Sequence, residues 1–168
     1  MSTDKLPPLE ECTCLAVRQA ARHVTQFYDR HLASAGLRTT QFSVLARLRR
    51  HGAVTINALA EEMVMDRTTL GRNILPLERD GLISIKPGRA DRRSKELHLT
   101  KAGAERLRVA RRLWSEAQKQ FEAAFGGERA LTLRNELRAV ASSKLRVGPE
   151  SGKKTHSRKS ARATHYRP

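Results

Sequence analysis

Two cysteines, Cys12 and Cys14, stand one residue apart in the stretch EECTCLAV at positions 10 to 17, and the chain has no others. Glu10, Glu11, His23 and His31 share the segment, so metal binding and thiol chemistry both have to be weighed. Neither Cys-x-x-Cys nor His-x3-His spacing occurs. On a helix, residues two apart point about 200° away from each other, so the two thiols cannot grip one ion there. No metal site is expected. What remains is thiol chemistry at the start of a helix, where backbone N–H groups and the helix dipole favour negative charge.

A second set of reactive groups is cationic. Arg67, Thr68, Thr69 and Arg72 follow Asp66, and Arg89, Arg92, Arg93 and Lys95 crowd a turn around Pro87, Gly88 and Asp91. The chain carries 33 Lys+Arg against 17 Asp+Glu, a net +16 over 168 residues. Of this, +7 lies from Lys144 onward and +9 remains on the preceding residues. Such an excess points to a polyanion, most simply double-stranded DNA. No Gly-rich phosphate loop, His-Glu-x-x-His or Gly-x-Ser-x-Gly pattern is present, so no enzyme activity and no cofactor are expected. The opening residues lack a signal peptide's apolar run, which with two cysteines suits a reducing, cytoplasmic setting.

The elements that must position these groups follow from periodicity. Residues 1–9 read as a flexible start. Over about 10–35, Val17, Ala20, Ala21, Val24, Phe27, Tyr28, His31, Leu32 and Ala35 recur at helical spacing. A second helix spans 39–52, capped by Thr39 or Thr40 and stopped by Gly52. Residues 53–83 give two short helices around a tight turn, capped by Thr55 and Asp66, which is the helix-turn-helix pattern. Alternation around Ile85 and Leu97 gives a two-stranded hairpin with a basic tip. Thr100 then caps a helix over about 101–125, and a last helix spans about 128–145. Residues 146–168 are basic and aperiodic and read as a disordered tail, either an arm on flanking DNA or a solvated extension adding salt-sensitive affinity.

The order predicts a mainly α fold with a small β-hairpin wing: a winged helix-turn-helix at about 39–100, within a domain spanning 10–145. It is flanked by dimerisation helices at about 10–35 and 101–145. In such units the second helix enters the major groove with its first residues at base edges, here Arg67, Thr68, Thr69 and Arg72. The wing's Arg89, Arg92, Arg93 and Lys95 suit phosphates or a narrow minor groove. Apolar stripes on the terminal helices exceed what the small wing domain can cover. A second copy, a homodimer, is the expected partner.

These residues resemble the MarR family of bacterial transcription regulators across about 10–145. DRRSKELHLT carries the family's wing pattern at Asp91, Arg93, Leu99 and Thr100, and INALAEEMVMDRTTLGRNILPLERDGLI matches its helix-turn-helix. The resemblance implies a dimeric repressor released from a pseudo-palindromic operator by a small ligand or by oxidation. The alternative is a non-regulatory architectural DNA-binding protein. It also implies that Arg93 enters the minor groove while Asp91 steadies it. A small aromatic or phenolic ligand would be lined by Arg18, His23, Tyr28, Phe42 and Trp114. In the family's organic-hydroperoxide sensors a reactive cysteine opens the first helix. Cys14 falls on that position, Tyr28 matches a tyrosine that hydrogen-bonds it, and Phe42 replaces a second such tyrosine. Two further departures are Gly88, where many members carry an acid, and Pro76, expected to kink the recognition helix.

Overall fold

The computed structural model describes residues 8–89 and 91–143. The tail at 146–168 and most of the expected flexible start lie outside them. Six helices and one three-stranded sheet are present among the described residues: α1 (Thr13–Leu32), α2 (Thr39–His51), β1 (Val54–Thr55), α3 (Ile56–Glu62), α4 (Arg67–Arg79), β2 (Ile83–Pro87), β3 (Lys95–Leu99), α5 (Lys101–Phe125) and α6 (Gly127–Ser142). The winged helix-turn-helix is therefore present, with long helices before and after it.

Local chemistry explains most boundaries. Side-chain oxygens of Thr55, Asp66 and Thr100 accept the backbone N–H of Ala58, Thr69 and Gly103, satisfying donors that the first turns of α3, α4 and α5 leave orphaned. Gly36 and Gly52 end their helices at φ 66° and 79°, a region that disfavours other residues. The expected first helix, 10–35, is broken: a 3-10 turn at Leu9–Glu11, α1, then a 3-10 turn at Ala33–Ala35. Cys12 is extended and caps α1 through its sulfur, which accepts the Leu15 N–H at 3.4 Å. Its thiol is thus set by cap geometry and not by the helical angle assumed from sequence.

Neither Thr39 nor Thr40 caps α2. Arg38 is the N-cap, its N–H donating to Gln41 Oε1, while Asp29 of α1 accepts the N–H and hydroxyl of Thr39 at 2.6 Å each. A carboxylate from another helix does the work expected of a local threonine. The hairpin also gains a third strand. The sheet order is β1-β3-β2, antiparallel throughout, with Val54 opposite Leu97 and Ile85 opposite Leu97 from the other side. Pro76 sits inside α4, which continues to Arg79. Ile74 and Leu77 are buried on either side of it, so core packing holds the turn across the missing N–H.

Leu45, Leu48, Leu59, Leu70, Leu77, Ile83 and Leu97 are fully or almost fully buried in one cluster under α4 and the sheet. This cluster fixes the recognition helix relative to the wing. Gly103, in the first turn of α5, lies directly on Leu82: a Cβ there would collide with the Leu82 carbonyl and lie 2.9 Å from Leu99 Cδ1. Gly103→Ala is therefore expected to destabilise the domain by about 2 kcal/mol, read as a lower urea midpoint with an unchanged slope.

Candidate nucleic-acid interface

The N-terminal turn of α4 presents Arg67, Thr68, Thr69 and Arg72 on the exposed surface, with Leu70 and Ile74 turned into the core. Asp66 holds this turn twice: its Oδ1 accepts the Thr69 N–H at 2.8 Å and its Oδ2 accepts the Thr69 hydroxyl at 2.6 Å. The Thr69 proton is thereby engaged, which leaves the hydroxyl oxygen as an acceptor toward an incoming base edge.

The wing closes on backbone bonds. Gly88 donates to the Ser94 carbonyl at 2.9 Å, and Ser94 N–H and hydroxyl donate to the Asp91 carbonyl at 3.0 and 2.7 Å. Asp91 Oδ1 accepts the Arg93 N–H at 2.9 Å. The support that the resemblance implies therefore reaches Arg93 through its backbone and leaves the guanidinium available. Gly88 is buried, and a Cβ there would collide with the Ser94 hydroxyl and the Asp91 carbonyl. No acid can occupy this position without rebuilding the turn. Glu96, on β3, supplies one instead: its Oε1 accepts the Arg89 N–H at 3.0 Å. Alternation along β3 places Glu96 on the face away from Leu97, which was the one sequence signal for it.

Helix and wing meet. A cleft of about 180 Å³ between them is lined by Arg67 of α4, Asp91, Arg93 and Lys95 of the wing, and Asn57 of α3. Arg92, Arg93 and Lys95 also border a second cleft of about 530 Å³ over Gly71, Leu75 and Ile85. Among the described residues, neither Arg67, Arg72, Arg89, Arg92 nor Arg93 forms an ion pair. Sequence-identified cations from two elements thus share one surface. Asn57 was missed because a polar residue on an exposed helix face carries no distinguishing pattern.

The five candidate ligand residues do not converge within the chain. Phe42 and Trp114 stack at 5.9 Å between centroids and line a cleft of about 340 Å³ edged by Arg49, Arg50 and Arg111. His23 borders a different cleft with Phe27 and Phe121. Tyr28 lies in an apolar groove between α1, α5 and α6, and Arg18 is exposed. Within one chain Phe42 with Trp114, His23 and Tyr28 therefore border separate clefts and not a common pocket.

Tyr28 does not reach Cys14 within the chain. Fourteen residues of helix put it about 21 Å from Cys14 along α1. Its hydroxyl donates to Gln118 Oε1 at 2.6 Å, and Gln118 and Arg134 both donate to Glu122 Oε1, at 2.8 and 2.9 Å. Burial raises the Tyr28 hydroxyl above its ordinary pKa, with Glu122 adding to the rise and Arg134 opposing it. A Tyr28–Cys14 bond therefore cannot form along one α1 helix. Cys12 and Cys14 are both free and exposed, and no group of three or more His, Cys, Asp or Glu capable of holding a metal occurs among the described residues.

The bonds from Thr69 lower the Asp66 carboxyl below its ordinary 3.8. A depressed acid stabilises the fold above its unfolded value, and that contribution is lost as pH falls through the folded one. Asp66→Ala is expected to lower the melting temperature at pH 7 and to flatten its decline below about pH 4, as followed by circular dichroism.

Comparison with known proteins agrees with this geometry. The MarR family model matches residues 37–95, from the start of the wing domain into β3. The DNA-bound crystal structure of the transcriptional regulator MosR of M. tuberculosis is 37% identical, with a TM-score of 0.70 over 78% of this chain and 94% of that one. An organic hydroperoxide resistance transcriptional regulator of Bacillus subtilis is 29% identical over 96 residues, 57% of this chain and 65% of that protein. The transcriptional activatory protein BadR of Rhodopseudomonas palustris is 30% identical over 112 residues, 64% of this chain and 60% of its own. The match thus spans less than two thirds of each of these two curated relatives. All three are transcriptional regulators, not enzymes, and the chain belongs to the MarR family of winged helix-turn-helix DNA-binding regulators.

Proposed function

We propose that this regulator is a cytoplasmic homodimer that represses by holding a pseudo-palindromic operator. In this reading α4 lies in the major groove and the wing beside it. The observation that carries it is the shared cationic surface, where Arg67 of α4 and Arg93 and Lys95 of the wing border one cleft with no ion-pair partners among the described residues. Arg67 and Arg72 are the base readers, with Thr68 and Thr69 at their side. Arg89, Arg92, Arg93 and Lys95 meet phosphates and the minor groove, and Asp91 steadies Arg93.

The dimer rests on a second observation. The stripe of α1 is buried only at Tyr28 and Leu32, while Val17, Leu131, Leu137 and Val140 are each 40–50% exposed. Between α1, α5 and α6 runs an apolar groove of about 470 Å³ lined by Val17, Ala20, Val24, Phe121, Leu133 and Leu137. A second copy of the same helices would bury it.

Selection of bound duplexes from random DNA tests this reading. The expected result is a palindromic consensus with half-sites about 10 bp apart. Arg67→Ala should relax preference at one position per half-site, and Arg93→Ala should weaken all sequences alike. An unsymmetrical or absent consensus would favour an architectural role.

Release by oxidation has a candidate in Cys14, an exposed thiol on the first turn of α1. The name of the B. subtilis relative, an organic hydroperoxide resistance regulator, supports it. The sulfur would take the terminal oxygen of a hydroperoxide, giving a sulfenic acid as the O–O bond breaks and the alcohol leaves. Cys12 is close enough in sequence to act as the resolving thiol. Release by a small aromatic or phenolic ligand instead has its place at Phe42 and Trp114, where three arginines edge the cleft. Peroxide should weaken operator binding of the wild type by about tenfold and leave Cys14→Ser unchanged; equal loss in both proteins would exclude the thiol.

A further inference from the structure

Glu96 is an anomaly on this surface. Beside Asp91 it is a second acid at a tip that carries Arg89, Arg92, Arg93 and Lys95, where a negative charge repels DNA phosphate. Its side chain is 14% exposed. The register of the sheet places it between Thr55 on β1 and Lys86 on β2. One carboxylate oxygen lies 3.6 Å from His98 Nε2. The other accepts the Arg89 N–H at 3.0 Å. The Arg89 guanidinium forms no hydrogen bond or ion pair among the described residues.

The wing therefore repeats one device. Asp91 bonds the backbone of Arg93 two residues on, and Glu96 bonds the backbone of Arg89 across the turn. In both cases the acid holds the main chain and leaves the cation unneutralised. The absence of a side chain at Gly88 keeps the turn closed beside this bond, because a Cβ there would collide with the Ser94 hydroxyl and the Asp91 carbonyl. A backbone N–H at a turn tip would otherwise bond to water, and the arginine beside it would sample many directions.

We propose that Glu96 is a positioning residue for DNA binding: it fixes the wing turn so that Arg89 meets a phosphate beside the groove that Arg93 addresses. The inference rests on the proposed α4–wing interface. It makes a prediction opposite in sign to simple electrostatics. As a mere surface charge, Glu96 weakens DNA binding, and its removal tightens the complex. As a positioning group, it strengthens binding through Arg89, and its removal loosens the complex.

Fluorescence anisotropy decides between the two. The full chain is titrated onto a labelled duplex recovered by selection from random DNA, over a salt series, with circular dichroism melts as the folding control. Glu96→Ala is expected to weaken binding about fivefold and to make the slope of log K against log salt shallower by about one ion per protomer. Arg89→Ala should do the same, and the double variant should be no worse than Arg89→Ala alone. Glu96→Gln keeps an oxygen acceptor for the Arg89 N–H, removes the charge, and should bind at least as tightly as wild type.

Tighter or unchanged binding by Glu96→Ala would overturn the proposal, as would losses that add in the double variant. So would weakening by Glu96→Gln, which also serves if the alanine variant melts early. Arg67→Ala and Arg93→Ala separate the two levels. If they lose binding while Glu96→Ala does not, the inference about Glu96 alone fails. If they bind like wild type, the interface reading fails and this inference with it.

Discussion

Like charges packed on a small surface repel one another, and a DNA-binding face has to be assembled against that repulsion. Here the opposing force is the neutral core beneath it. Leu45, Leu70, Leu77, Ile83 and Leu97 are buried where α2, α4 and the sheet meet. Burying side chains of this kind contributes about 2 kcal/mol each, whereas repulsion between exposed cations is damped by water and salt. The cations can therefore remain unpaired and available. The few acids nearby are spent on backbone N–H groups: Asp66 on Thr69, Asp91 on Arg93, Glu96 on Arg89. Order is gained without tying these arginines into ion pairs among the described residues.

The rest of the molecule serves to aim this face. Thr100 caps α5 while its hydroxyl donates to the Gly81 carbonyl at 2.7 Å, tying the long helix to the turn after α4. Arg106 of α5 donates to the Ala35 carbonyl at 3.0 Å, closing the end of the first helical segment. The terminal helices and the segment after α4 are thus joined by short, specific bonds.

Much of this was legible in the sequence because it is local. Thr55, Asp66 and Thr100 announce helix starts by residue type and position, and the 3.6-residue stripes define α1, α2, α4 and α5. What was not legible depends on distant partners. The strand β1 is two residues long, too short for alternation to register. The first N–H of α2, that of Thr39, is held by Asp29, ten residues away on another helix. The candidate ligand residues lie on separate faces, and single-chain periodicity cannot tell which faces meet. Glu96 looked like an ordinary strand charge until the turn geometry showed which N–H it holds.

Hydroxyl-radical footprinting of the full chain on a selected duplex tests the central claim most directly: that α4 and the wing of two symmetric copies face DNA. The account predicts two equivalent protected patches related by a dyad, about 10 bp apart, each flanked by minor-groove protection that Arg93→Ala removes. A single unsymmetrical patch, or uniform protection indifferent to sequence and to Arg93, would contradict it.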